Sequence, residues 1–97
     1  MITAQDWLPI GSVVRLVEGD RPVMIAGVMA QDGQTGRYWD YVGYPYPEGD
    51  QGTGDYFFDK DMVAEVHLVG YLDGIGCLFQ QFLDDKTEEF EQVKAVS

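Results

Sequence analysis

The stretch Ser12-Val13-Val14-Arg15-Leu16-Val17-Glu18-Gly19-Asp20-Arg21-Pro22-Val23-Met24-Ile25-Ala26-Gly27-Val28-Met29-Ala30 decides the fold. Its opening residues alternate Val13, Arg15 and Val17 with Val14 and Leu16. That is the period-2 pattern of a strand, and β-branched side chains suit a pleated surface. Glu18 to Arg21 breaks the pattern, because Gly19 takes positive φ at little cost and the Asp20 carboxylate can bond the local backbone. A second apolar run follows from Pro22 to Ala30. Two such runs across a short Gly/Asp turn predict an antiparallel hairpin.

Working outward, Leu8-Pro9-Ile10-Gly11 is an irregular lead-in, since Pro9 and Gly11 limit regular structure. Gln31 to Gly36 is polar, with two glycines, and predicts a second turn. Arg37 to Tyr44 is a strand by its aromatic content, and Gly43 within it marks a bulge or a close backbone approach. Pro45 to Asp55 has no periodicity and is a loop. Asp59-Lys60-Asp61 predicts a turn or the start of a short helical turn. Val63 to Tyr71 returns to alternation. Asp73 is the expected N-cap of a final helix. In that helix Ile75, Leu78, Phe79, Phe82, Leu83, Phe90 and Val93 recur at three- and four-residue steps, predicting one stripe laid over the sheet. Gly76 and Thr87 weaken the helix locally, and Glu88, Glu89 and Glu91 oppose the dipole preference near its end. The expected fold is therefore α+β: a small antiparallel sheet of about four strands, open or barrel-like, packed by a C-terminal amphipathic helix in two layers. One domain spans residues 1–97, with its core over about 8–93.

Composition narrows the function classes. Seventeen acidic against six basic residues leave a formal charge of −11 at pH 7. Such a surface repels nucleic acid and anionic lipid, because binding either requires Lys and Arg to displace condensed counterions. A basic protein partner is the positive reading, and plain solubility accounts for the charge as well. The single cysteine, Cys77, excludes an internal disulfide. Together with an N-terminus, MITAQDWLPIG, that lacks the charged and apolar segments of a signal peptide, this predicts a cytoplasmic protein. No apolar stretch approaches the ~20 residues of a membrane span.

No catalytic residue, cofactor or metal is expected. Glu48, Asp50 and Asp55 lie in a Gly-rich loop with oxygen ligands of the kind calcium favours, but without EF-hand spacing. His67 is the lone histidine and has no ligand partner nearby in sequence. Cys77 lies near a helix start but beside Ile75 and Leu78, which predicts a small buried hydrophobe. Asp59/Asp61 and Asp84/Asp85 are adjacent acids with nothing in sequence to separate their pKa values. The densest unusual segment is Tyr38-Trp39-Asp40-Tyr41-Val42-Gly43-Tyr44-Pro45-Tyr46-Pro47-Glu48-Gly49. Tyrosines on a stiff Pro-containing segment suit protein contact, because they bury much area at low entropic cost. Trp39, Tyr44, Pro45, Tyr46, Pro47 and Glu48 are the expected partner-binding residues, with packing over the sheet edge as the other reading. Pairing of two copies through a sheet edge stays open.

Several of these residues also carry a family resemblance. Leu8-Pro9-Ile10-Gly11-Ser12-Val13-Val14, Met24-Ile25 before Gly27, Asp40-Tyr41-Val42-Gly43 with Pro45-Tyr46-Pro47-Glu48-Gly49, and Val69-Gly70-Tyr71 with Asp73 occur in an order that resembles the small bacterial family known as domain of unknown function 4176. An acidic position that often follows this last element is replaced by Ile75-Gly76. The resemblance spans roughly residues 8–83 and implies a setting beside type VII (ESX-like) secretion components and LXG-type toxins, with no enzymatic activity attached. It implies a non-enzymatic accessory protein, a chaperone or targeting adaptor for a secreted effector. The alternatives are an immunity protein that occludes a cognate toxin and, behind it, a small enzyme.

Overall fold

The computed structural model describes residues 2–52 and 54–97. Among the described residues five strands form one antiparallel sheet: β1 Val13–Leu16, β2 Pro22–Gln31, β3 Tyr38–Pro45, β4 Tyr56–Phe58 and β5 Val63–Leu68. Their spatial order is β4-β3-β2-β1-β5. The terminal strands β4 and β5 are not paired with each other, so the sheet is open and the barrel alternative is set aside. The strand beyond the expected four is β4. Three residues cannot display a period, and β4 becomes a strand only by pairing Tyr56, Phe57 and Phe58 with Gly43, Val42 and Tyr41. A single 3-10 turn, Lys60–Met62, leads into β5. The helix α1 runs from Gly74 to Val96.

The hairpin forms as expected, with Val13 opposite Met24 and Val14 opposite Val23. Residues directly opposite in an antiparallel pair share a face. The register therefore carries Val14, Val23, Ile25, Tyr41 and Phe58 to one side of the sheet, where all five are buried. Gly43 is a close-approach position: a Cβ there would stand 2.6 Å from the Met24 carbonyl oxygen and 2.8 Å from Val23 Cγ1. β5 stops at Leu68, short of the expected Tyr71, and Gly70 beyond it lies close against the Ile10–Ser12 segment. There the Gly70 N–H donates to Ser12 Oγ at 2.9 Å, and a Cβ would press on Ser12 N at 2.8 Å.

The N-terminal segment lies between sheet and helix. Trp7 and Leu8 are buried, and Tyr41 Oη accepts from Leu8 N at 2.8 Å and donates to Asp6 O at 3.2 Å. Trp7 packs edge-on against Tyr41 at 5.6 Å and against Phe90 of α1 at 6.1 Å between ring centroids. Its indole N–H donates to Thr87 Oγ1 at 2.8 Å, while Gln80 Nε2 donates to Trp7 O at 2.6 Å. One tryptophan thus joins both layers.

The helix faces differ from the expected stripe. Asp73 caps α1 as anticipated, accepting from Gly76 N at 2.8 Å. Of the seven residues expected to cover the sheet, only Leu83 (1% exposed) and Phe90 (7%) are buried. Ile75 is 79% exposed, Leu78 68%, Phe79 44% and Phe82 51%, and Val93 is also exposed. The inward seam is instead Gly76, Gln80, Leu83, Thr87, Phe90 and Lys94, at alternating four- and three-residue steps. At ~100° per residue this seam lies about a quarter-turn from the apolar stripe. Three of its side chains are polar, and each has a distant partner. Gln80 and Thr87 hold Trp7, and Lys94 Nζ stands 3.0 Å from both Asp40 Oδ1 and Asp59 Oδ1.

Candidate protein-docking surface

The six expected partner-binding residues do not form one patch. Trp39, near the start of β3, is half-buried beneath the Arg37 guanidinium, which lies 4.0 Å from the ring centroid. Its indole N–H is buried with no acceptor among the described residues. Tyr44 and Pro45 complete β3 and pair with Met24 and Val23. The nearby Asp55 and Asp50 carboxylates push the Tyr44 phenol pKa up, since a second negative charge there is unfavourable. Glu48 is held by an ion pair with Arg21, whose hydrogen bond lowers the glutamate pKa. Tyr46 (52%), Pro47 and Glu48 are exposed, at a tip closed by Gly49 N donating to Pro45 O at 2.7 Å. Gly49 has φ +73°, the left-handed region where glycine avoids a Cβ clash. Much of this segment therefore serves the backbone: close approach at Gly43, a core anchor at Tyr41 and a tight turn at Gly49.

Among the described residues no three His, Cys, Asp or Glu side chains come together as a metal site. Asp50 of the Gly-rich loop accepts from Gly52 N at 2.8 Å, an ordinary local turn contact. His67 is exposed on β5, at an edge of the sheet. Cys77 is a free, exposed thiol. The expectation that it is a buried hydrophobe is corrected, because the helix turns this position away from the seam. Asp59 belongs to the network around Lys94 and lies apart in role from Asp61, which is exposed.

That network is the most buried polar cluster of the fold. Asp40 is 3% exposed and accepts from Lys60 N at 2.8 Å through its second oxygen. The Asp40 N–H in turn donates to Asp59 Oδ1 at 2.9 Å. Burial disfavours the Lys94 ammonium, but the two carboxylates outweigh it and raise its pKa. Lys60 runs the other way: burial lowers its pKa, while its ammonium lies 3.9 Å from the Trp7 ring centroid. The Lys94 ion pairs tie the end of α1 to β3 and to the turn before β5.

The feature without a structural purpose in the fold is the outer stripe of α1. Ile75, Leu78, Phe79 and Phe82 stand at i, i+3, i+4 and i+7, all exposed, and the two phenylalanine rings stack at 6.1 Å. The two rings leave on the order of 200 Å² in water, and the aliphatic pair carries the patch to several hundred Å², the size that marks interaction sites on monomers. Leu78, Phe82, Asp85 and Glu89 follow one another at four-, three- and four-residue steps, all exposed, so hydrophobe gives way to acid along one line of the helix.

A family model described as Domain of unknown function (DUF4176) matches residues 7–87. The chain belongs to this family. The matched region begins at Trp7, which joins the two layers, and ends at Thr87, which accepts the hydrogen bond from its indole. The DUF4176 match thus takes in the whole sheet and the exposed apolar stripe of α1. Nothing among curated proteins or solved structures matches the chain. No helix among the described residues is long and apolar enough to cross a membrane.

Proposed function

We propose that this chain is a non-enzymatic accessory protein, a chaperone or targeting adaptor that binds an effector of type VII (LXG-type) secretion in the cytoplasm before export. The observation that carries the protein-binding part is the exposed Ile75-Leu78-Phe79-Phe82 stripe, which the chain's own core does not use. Keeping four large hydrophobes in water lowers solubility, so a partner that covers them accounts for their presence better than the isolated domain does. Neighbouring carboxylates keep the uncovered form soluble and favour a basic partner. The secretion setting comes from the family resemblance. Tyr46 and Pro47, at the tip beyond β3, are a second point of contact in this reading.

Co-expression with the effector encoded beside it tests the proposal. Effector level and export should fall when this chain is deleted, and Leu78→Gln/Phe82→Gln should reproduce the defect. Unchanged effector level and export, with loss of host survival alone, would make the protein an immunity factor and end the adaptor reading.

A further inference from the structure

We infer that the outer face of α1 receives one basic amphipathic helix of a partner protein, laid along the Ile75–Phe82 stripe with its Lys and Arg residues over Asp85 and Glu89. This rests on the protein-binding reading above and specifies the partner's chemistry. The apolar spacing i, i+3, i+4, i+7 presents a ridge of about two helical turns, the footprint that helix-on-helix packing uses. A flat or extended partner would leave the sides of such a ridge exposed.

Three observations select this occupant. The first is size. A stripe of several hundred Å² falls short of the ~800 Å² per partner of a stable standard interface, so a second copy placed here would be weakly held. The second is charge. Each copy carries −11, so two copies repel each other, whereas a cationic helix gains from the acids beside the stripe. The third is the order along the line Leu78, Phe82, Asp85, Glu89, which asks for a partner helix with apolar residues followed one to two turns on by Lys or Arg. Lys86 offsets part of the acidic charge, with Nζ 3.8 Å from Glu89 Oε1 and 5.9 Å from the Phe82 ring centroid, but the acids of this face outnumber it. Interfacial membrane binding is the competing use of an amphipathic helix, and it calls for a Lys/Arg-rich polar face, where α1 carries Asp84, Asp85, Glu88 and Glu91.

Titration of the isotope-labelled full chain with two designed helical peptides, followed by NMR, tests the inference. Both peptides carry leucines at the same i, i+3, i+4, i+7 positions; one has Lys and Arg on its flanks and the other Glu. The basic peptide should perturb amides of residues 75–89 and lose at least about tenfold in affinity against Leu78→Gln/Phe82→Gln. Its binding should also weaken as ionic strength rises from about 0.01 M to about 0.15 M, where the Debye length contracts from about 30 Å to about 8 Å. Both substituted residues are exposed, and an unchanged melting temperature verifies that the double variant folds. Equal binding of the acidic peptide, shifts confined to the Tyr46 tip, a dimer in sedimentation that the double variant dissolves, or binding to phosphatidylserine vesicles would each overturn it. If the native effector binds and the basic peptide does not, the helix assignment alone fails. If neither binds, the protein-binding reading fails with it.

Discussion

The Tyr41 hydroxyl is buried where the N-terminal segment crosses β3, accepting from Leu8 N and donating to Asp6 O. Burial raises its pKa, the Leu8 hydrogen bond offsets part of the rise, and the Asp40 and Asp6 charges add to it. A raised folded-state pKa means the folded chain holds this proton more tightly than the unfolded one. The stability it contributes is complete below about pH 10, the unfolded phenol's value, and falls as pH climbs beyond it. Tyr41→Phe should therefore cost about 1–3 kcal/mol at neutral pH, through the two lost hydrogen bonds, and progressively less above about pH 10. Urea unfolding across that range checks this, and a cost that stays constant into strong alkali would contradict it. Gly70 poses a steric question in place of an electrostatic one. A methyl group there meets backbone of the Ile10–Ser12 segment, which cannot give way without moving the entrance to β1. Gly70→Ala is expected to lower stability by about 2 kcal/mol or more, whereas Gly74→Ala, with open space around it, should not. Thermal melts of the two variants side by side decide it. Glycine at 43 was legible in sequence as a bulge or close approach. The constraint at Gly70 was not, because the segment it touches lies some sixty residues away.

At the scale of elements, α1 packs through a seam that alternates polar and apolar side chains. Phe90→Ala should cost about 3 kcal/mol, since it empties the contacts with Trp7 and Tyr38. Phe82→Ala and Leu78→Ala should each stay within about 0.5 kcal/mol of the parent. Urea midpoints at constant slope make the comparison. If Phe82→Ala proved as costly as Phe90→Ala, the assignment of faces would be wrong. The existence of the helix and its N-cap were legible, because Asp73 and the three- and four-residue recurrences are local signals. Its rotation was not. A hydrophobicity pattern counts Gln80, Thr87 and Lys94 as outward, and it has no knowledge of Trp7, Asp40 or Asp59, which satisfy them inside. Thr87, expected to weaken the helix, donates to Leu83 O at 2.7 Å while accepting from the indole, so its hydroxyl has two partners.

For the whole molecule the net charge sets the working conditions. At −11 the compact chain repels itself, and salt screens that repulsion. The melting temperature of the isolated protein should rise between about 0.01 M and about 0.15 M ionic strength, the opposite direction to the salt effect expected on partner binding. Calorimetry at the two ionic strengths measures it, and a melting temperature that falls would show attractive surface pairs outweighing the net repulsion. The hairpin, the aromatic strand, a turn before β5 and the capped C-terminal helix were determined by the sequence alone. Each depends on contacts within a few residues, where periodicity, turn chemistry and capping act. The tertiary structure decided the open order of the strands, the strand status of Tyr56–Phe58 and the placing of Trp7 between the layers. It also decided which side of α1 faces water. These rest on partners far apart in sequence, and the last of them leaves in water a stripe that looks like core.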